Sequence, residues 1–502
     1  MNYAELLDRV APETIVAVTA LIVLSVDLMV MREEPLRNRF WVCGVFATVG
    51  CVLAGAWLLV INVPEAAPGG LPSALADMFT DDPLTRLVKA ALLLLTVCTM
   101  VISVEGKFTE HVGEFLSLIL MATAGMMLLA SSMDLLMIFI ALELTSLSLY
   151  ILTAFNKQEI KSAEAALKYF LFGGMSAAFT LFGLSLVYGL SGTTNLPRIA
   201  ASLTAAKSLD PVLFAAMVMT AIGFGFKIAA VPFHLWAPDA YEGAPTPSAA
   251  LIASGSKLAS FFIFAKLMIV AFAHADGSAA WRGFAQGWLP ALAILAALSM
   301  MLGNLAAIVQ SNVKRLLAYS AIAHSGYALL GLLANGPNGV SALIFYMITY
   351  GLTVVGAFGV IAVMEQKAGG SGIADFAGMS RREPVLSFCM LVFMLSLAGI
   401  PPLAGFFGKF YLFTAAAGGA RQLGLLWLVI FAIAMSAVSL YYYLQVLKQI
   451  YVEPVPAGRG AIQTPLSSRI VLCALAAGVV ALGCAPDLVL GRLLAAIPAF
   501  GF

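Results

Sequence analysis

Five of the 27 basic residues in this chain fall inside long apolar runs: Lys168, Lys227, Lys257, Lys266 and Lys409. An amine near the centre of a membrane span costs roughly 2.5–3.5 kcal/mol on insertion scales, so it has to be paired, hydrated or neutral. A desolvated lysine gives up its proton near neutral pH, which makes these side chains candidates for moving protons through hydrocarbon. Glu143, in Ala141-Leu-Glu143-Leu-Thr-Ser-Leu147, adds a buried carboxylate. Its expected partner is Lys168 at the start of the next run, which a charged Glu143 would hold protonated. The competing reading sets Lys168 at the interface, paired with Glu164 at i−4. Lys266, farther along its run and nearer the outer surface, reads as a snorkelling side chain and is left out of the path.

Two lysines coincide with breaks. Gly223-Phe-Gly-Phe-Lys227-Ile-Ala-Ala-Val-Pro232 and Gly399-Ile-Pro401-Pro402-Leu-Ala-Gly405-Phe-Phe-Gly408-Lys409 interrupt apolar segments with Gly and Pro. Unwound backbone is tolerated at membrane depth only inside protein or along a hydrophilic cavity, so a matched pair of broken spans points to a polar path near the midplane. The stretch from Pro232 to Pro247 is polar and proline-rich, and reads as an ordered turn on the cytoplasmic side. Within it His234 is either a proton acceptor or a hydrogen-bonded loop histidine. Lys257 follows Ser254-Gly255-Ser256, and Ser320, His324 and Tyr327 share one helical face, a candidate hydrated stripe bridging Lys257 and Lys409.

The elements that must position these groups are membrane helices. The chain is 62% hydrophobic and 11% charged, far from the balance of soluble domains. Apolar runs long enough to span occur fourteen times between 13–31 and 467–495, giving an all-α polytopic protein with both termini on one side. The first run is read as an uncleaved helix. Counting Lys and Arg in the loops puts fourteen on one face and eight on the other, which orients the termini outside. Net charge is +1 without a basic tract, so no nucleic-acid partner is indicated. The six cysteines stand singly in apolar stretches, with no spacing for a metal or cluster, so any redox group is expected on a partner. Gly-x-Gly-Phe at 223–226 lacks the surrounding βαβ unit of a dinucleotide site.

Taken together, these residues resemble the antiporter-like membrane subunits of respiratory complex I, the proton-pumping NADH:quinone oxidoreductase, and among them the subunit N branch. The resemblance rests on Glu143 in its Ala-Leu-Glu-Leu-Thr-Ser-Leu setting, Ser162-Ala-Glu-Ala-Ala-Leu-Lys168-Tyr-Phe, Gly225-Phe-Lys227 leading to Tyr241-Glu-Gly-Ala-Pro-Thr-Pro247, Ser256-Lys257, the run from Asn312 through His324 to Tyr327, and Gly399 through Lys409. It implies two inverted five-helix repeats, 112–273 and 287–451, each with a broken helix. Three N-terminal helices (1–111) and a C-terminal one (467–502) would flank them. It also implies that Glu143 pairs with Lys168, that Lys227 is the central protonatable lysine, that Lys257 and His324 relay between the halves, and that Lys409 lies toward the outer side. FMN, iron–sulfur clusters, NADH and quinone would then sit in other membrane and peripheral subunits, within a bacterial inner membrane and its lipids. A multi-subunit Na⁺/H⁺ antiporter chain is the alternative of a different class.

Overall fold

The computed structural model describes residues 8–60, 78–104, 108–203, 210–419, 424–456 and 460–497. The first seven residues, and Lys107, Lys207, Arg421 and Arg459 of the charge count, lie outside the described residues. The crossings are made by α1 (Ala11–Met29), α2 (Leu36–Val60), α3 (Pro83–Ser103), α4 (Val112–Ser131), α5 (Leu135–Thr153), α6 (Ile160–Ser191), α7 (Pro211–Lys227), α8 (Trp236–Gly243), α9 (Thr246–Ala253), α10 (Gly255–Lys266), α11 (Trp288–Ile308), α12 (Val313–Leu333), α13 (Pro337–Ala368), α14 (Pro384–Ala398), α15 (Ala404–Gly419), α16 (Leu426–Tyr451) and α17 (Leu466–Cys484). Among the described residues, twelve crossings are long and apolar enough to span by themselves, α9 and α10 counting as one. Two more are assembled from paired pieces, α7 with α8 and α14 with α15, so fourteen crossings result, as the apolar runs predict.

Local chemistry sets the ends of these helices. Asp82, Asp134, Asp210 and Asn312 accept backbone N–H groups at the starts of α3, α5, α7 and α12, satisfying donors that a membrane helix cannot leave bare. Gly192, Gly369 and Gly399 close α6, α13 and α14 in the left-handed conformation. Packing then sorts the helices. The stretch Thr246–Ala271, α12 and α13 are almost wholly buried, whereas α2, α6, α16 and α17 bury only about a third of their spanning window. The outer helices turn side chains such as Val52, Leu171, Phe182 and Ile430 outward, as a surface solvated by lipid tails requires. The polar groups therefore collect along the buried centre, where α10, α12 and α13 meet.

The two breaks differ from expectation in one respect. The stretch 232–247 is not one turn outside the bundle: α8 forms within it, with Trp236 and Tyr241 buried. Its indole stacks on Tyr169 of α6 at 4.2 Å, and its far end reaches the level of Lys161, so α8 completes the seventh crossing. The reason is backbone satisfaction: once Pro232 has broken α7, the cheapest way to pair the remaining amides inside protein is to resume a helix.

Candidate functional site

Lys227 is the last residue of α7. Its ammonium donates to Ser146 Oγ on α5 and lies 5.8 Å from the centre of the Tyr150 ring. Glu143, one turn before Ser146, acts electrostatically on both Lys227 and Tyr150. The expected pair between Glu143 and Lys168 is not formed. Lys168 instead binds Glu164 and Asp239, both at 2.7 Å, and is well exposed. Asp239 sits on α8, which packs against α6 within the stretch expected to be an ordered turn, so this competing carboxylate was not legible without α8.

From Lys227 the polar contacts continue through the adjoining residue. Ser325 on α12 donates to the carbonyl of Ile228, 2.5 Å away, and receives a hydrogen bond from Lys257 at 2.8 Å. Lys257 also donates to the Ala321 carbonyl at 2.6 Å. Its helix is interrupted just before it, α9 ending at Ala253 and α10 starting at Gly255, so Lys257 occupies the first turn of a new helix. Next to Ser325, His324 places Nδ1 2.5 Å from Tyr346 Oη and Nε2 3.0 Å from Tyr443 Oη. Ser320 shares that Tyr443 hydroxyl. The imidazole acts electrostatically on both sides, toward Lys257 and Lys409. Tyr327 takes a different part from the expected hydroxyl stripe: it packs edge-on against His324, lies under Lys409 at 5.1 Å, and bonds Asn304.

Lys409 closes the series. On α15, it donates to the carbonyls of Leu397 and Ala398 at 2.9 and 3.1 Å and to Ser436 at 2.9 Å. Those carbonyls end α14, where Gly399 turns left-handed at φ +87°, a conformation that favours glycine. Lys227, Lys257 and Lys409 are all buried, and among the described residues each is held by neutral oxygens, with no carboxylate at ion-pair distance.

At the face where α6 and α12 begin, charges are paired instead. Arg315 holds Asp239 at 2.7 Å and Glu242 at 3.1 Å, and Lys161 holds Glu242 at 3.1 Å. Asp239 thus accepts from both Lys168 and Arg315. Glu242 accepts from Lys161 and Arg315 in the same way. Beside this cluster a cavity of about 480 Å³ opens, lined by Lys161, Glu242, Thr246, Lys314 and Glu365 among others.

Sequence reading missed several participants. Ser146, Ser325, Tyr346, Tyr443 and Ser436 carry the contacts, yet hydroxyls in apolar helices give no distinguishing signal, since most back-bond to their own helix. Lys266 is not snorkelling: it is buried, donating to Ala130 O at 2.8 Å and Thr85 Oγ1 at 3.3 Å. Lys89, counted as an outer-loop residue, is fully buried against Glu13 at 2.7 Å. α1 covers Lys89, and α3 and α4 cover Lys266, a layer that spacing alone does not reveal.

Paired broken crossings, each with a buried lysine, joined by a histidine-centred polar chain, define an antiporter-like polytopic membrane protein. Residues 132–438 match the family described as NADH:quinone oxidoreductase/Mrp antiporter, TM. The chain is 50% identical to NADH-quinone oxidoreductase subunit N 2 of Acidobacterium capsulatum, covering 98% of this chain and 99% of that one. It is 39% identical to NADH-quinone oxidoreductase subunit N of Rhodospirillum rubrum, over 99% and 98%. Among solved structures, a chain of respiratory complex I from Thermus thermophilus with bound aureothin superposes with TM-score 0.75 at 33% identity, covering 96% of this chain and 99% of that chain. A chain of the Mrp complex from Dietzia sp. shares the fold, with TM-score 0.81 at 22% identity, covering 98% of each chain. The chain belongs to the NADH:quinone oxidoreductase/Mrp antiporter family, in its subunit N branch.

Proposed function

We propose that this chain is the proton-translocating subunit N of a bacterial NADH:quinone oxidoreductase. It works in the inner membrane among other membrane and peripheral subunits that hold the FMN, the iron–sulfur clusters, and the NADH and quinone sites. Residues 1–111 form an N-terminal three-helix unit, 112–273 and 287–451 two inverted repeats, and 467–502 a C-terminal helical segment. Glu143, Lys227, Lys257, His324 and Lys409 are the proton path. Lys168 belongs to the ion-pair cluster at its cytoplasmic mouth.

One observation carries this reading: three buried amines are held by serine hydroxyls and backbone carbonyls, so none must break an ion pair to release its proton. Glu143 and His324 supply the control. A charge change at Glu143 alters the field on Lys227, and proton movement at His324 alters the field on both Lys257 and Lys409. Each such step has to supply about 2.3 kcal/mol to move one charge against 100 mV, which corresponds to a proton-affinity change of under two pKa units. At an effective interior dielectric of about 20, a charge about 7 Å away supplies roughly that much.

The test is Lys227→Ala in the whole complex, with NADH-driven quinone reduction and proton pumping measured in membrane vesicles. Expected is normal assembly with both activities lowered. An assembled variant with full pumping overturns the assignment. Sodium–proton exchange by the chain without peripheral subunits would favour the antiporter alternative.

A further inference from the structure

A second group of buried charges lies at the far end of α10, apart from the path above. Lys266 is nine residues beyond Lys257, about 13.5 Å along the helix and half a turn around it, so it faces α3 and α4 rather than α12. Its ammonium bonds the Ala130 carbonyl and Thr85 Oγ1, and Thr85 Oγ1 donates to Asp82 Oδ2 at 2.7 Å. One turn along α3, Lys89 holds Glu13 of α1 at 2.7 Å, the two side chains being 0% and 3% exposed. Ser131 of α4 reaches the same Glu13 oxygen at 3.4 Å. The other oxygen, Glu13 Oε2, is buried with no hydrogen-bond partner among the described residues. Lys266 acts electrostatically on both Asp82 and Lys89.

The other charges nearby are engaged elsewhere: Arg86 binds Asp81 at 2.6 Å, and Arg9 donates to the Phe79 carbonyl. Two amines and two carboxylates therefore converge from three helices. Asp82, at the head of α3, is only partly buried and opens the group to solvent. Burial raises its carboxyl, but the Lys266 charge and the bonds from Thr85 and Thr80 hold it below the ordinary carboxylate range. On the inward side, Thr96, Thr99 and Ser103 continue the Lys89 face of α3, all buried, with Thr96 bonded to Thr123 at 2.8 Å. A structural staple would account for one ion pair. It does not account for an unpaired carboxylate oxygen beside a third buried charge, since buried ion pairs rarely outperform apolar packing.

We propose that Glu13, Lys89, Lys266 and Asp82 form a second proton-exchange site, on the face opposite the Asp239 cluster, passing protons between α10 and the outer solution. When the Lys89 ammonium hands its proton to Glu13, the pair becomes a neutral amine and a neutral acid. Lys266 then loses a neighbouring positive charge and takes a proton from the α10 side. As the pair re-ionises, Lys266 returns to the neutral amine, its proton passing by way of Thr85 to Asp82 and then to water. Only N–H and O–H bonds change, and each transfer conserves charge.

This inference rests on the proton-translocating reading, and the experiment separates the two. Lys266→Met and the double variant Glu13→Gln/Lys89→Met are introduced into the whole complex, with Lys227→Ala alongside. Acidification per NADH oxidised and its pH profile are measured in vesicles, and assembly by native gel. Expected is a loss of acidification per NADH in both new variants, with assembly retained in the double variant because the pair is removed as a unit. If Lys227→Ala loses pumping while the assembled double variant and Lys266→Met keep the wild-type ratio and pH profile, the second site is overturned and the main reading stands. If all three keep it, the main reading fails as well.

Discussion

The two broken crossings use the same device and mount their lysines differently. In the first, the backbone groups freed at the break find partners without the amine: Phe226 O accepts the Trp236 indole N–H at 3.0 Å, Ile228 O accepts Ser325, and the Val231 amide donates to Ser299 at 2.9 Å. Lys227 stays outside that network, bound to α5. In the second, Lys409 itself satisfies the last carbonyls of α14. A break can thus be sealed by neutral groups, leaving its lysine no part in closing it, or sealed by the lysine, which then carries structure as well as the role proposed for it.

The largest effect that follows is at Lys409. Replacing it by Ala strands two buried carbonyls, at about 1–3 kcal/mol each, so Lys409→Ala is expected to lower the thermal stability and yield of the complex as well as pumping. Lys409→Arg sharpens this: a guanidinium bonds carbonyls but does not release its proton at physiological pH, so assembly should recover while pumping does not. Recovery of both would leave Lys409 with structure alone. Lys227→Ala comes next, with a several-fold loss of coupled quinone reduction at unchanged thermal stability. A parallel fall in stability would erase the contrast between the breaks.

Ser325→Ala removes the hydroxyl shared by Ile228 and Lys257. About 0.5–1.5 kcal/mol of stability should go with it, and pumping should fall less than in Lys227→Ala, because Lys257 keeps the Ala321 carbonyl. The smallest effect is expected at the paired face. Asp239 and its partners are partly exposed, which limits the pair to about 1 kcal/mol or less. Melting curves of wild type and Asp239→Asn should differ only slightly at neutral pH. A large loss of stability would mean that this exposed cluster holds the fold as firmly as the Lys409 seal does.

The fourteen crossings were legible because a helix hydrophobic over the length of a bilayer leaves a continuous run in the chain, and both breaks because Gly and Pro interrupt such runs. The lysines stood out by cost alone. The pairing of Lys168 with Glu164 was legible in the i−4 spacing, but its second partner was not: Asp239 lies 71 residues away, in a stretch whose prolines conceal a helix. Lys89 looked like a loop residue because it lies near the start of α3, where composition does not tell an aqueous end from one capped by α1.

The sequence alone determined the solvent of this protein, its number of crossings and which amines had to be accounted for, because the cost of burying charge is a property of residue type and run length. Only the tertiary structure decided which oxygens receive those amines. Helical spacing sets the face a side chain occupies, but the helix that docks against that face is chosen by packing across the whole molecule. That choice separates a lysine held by neutral oxygens from one held in an ion pair.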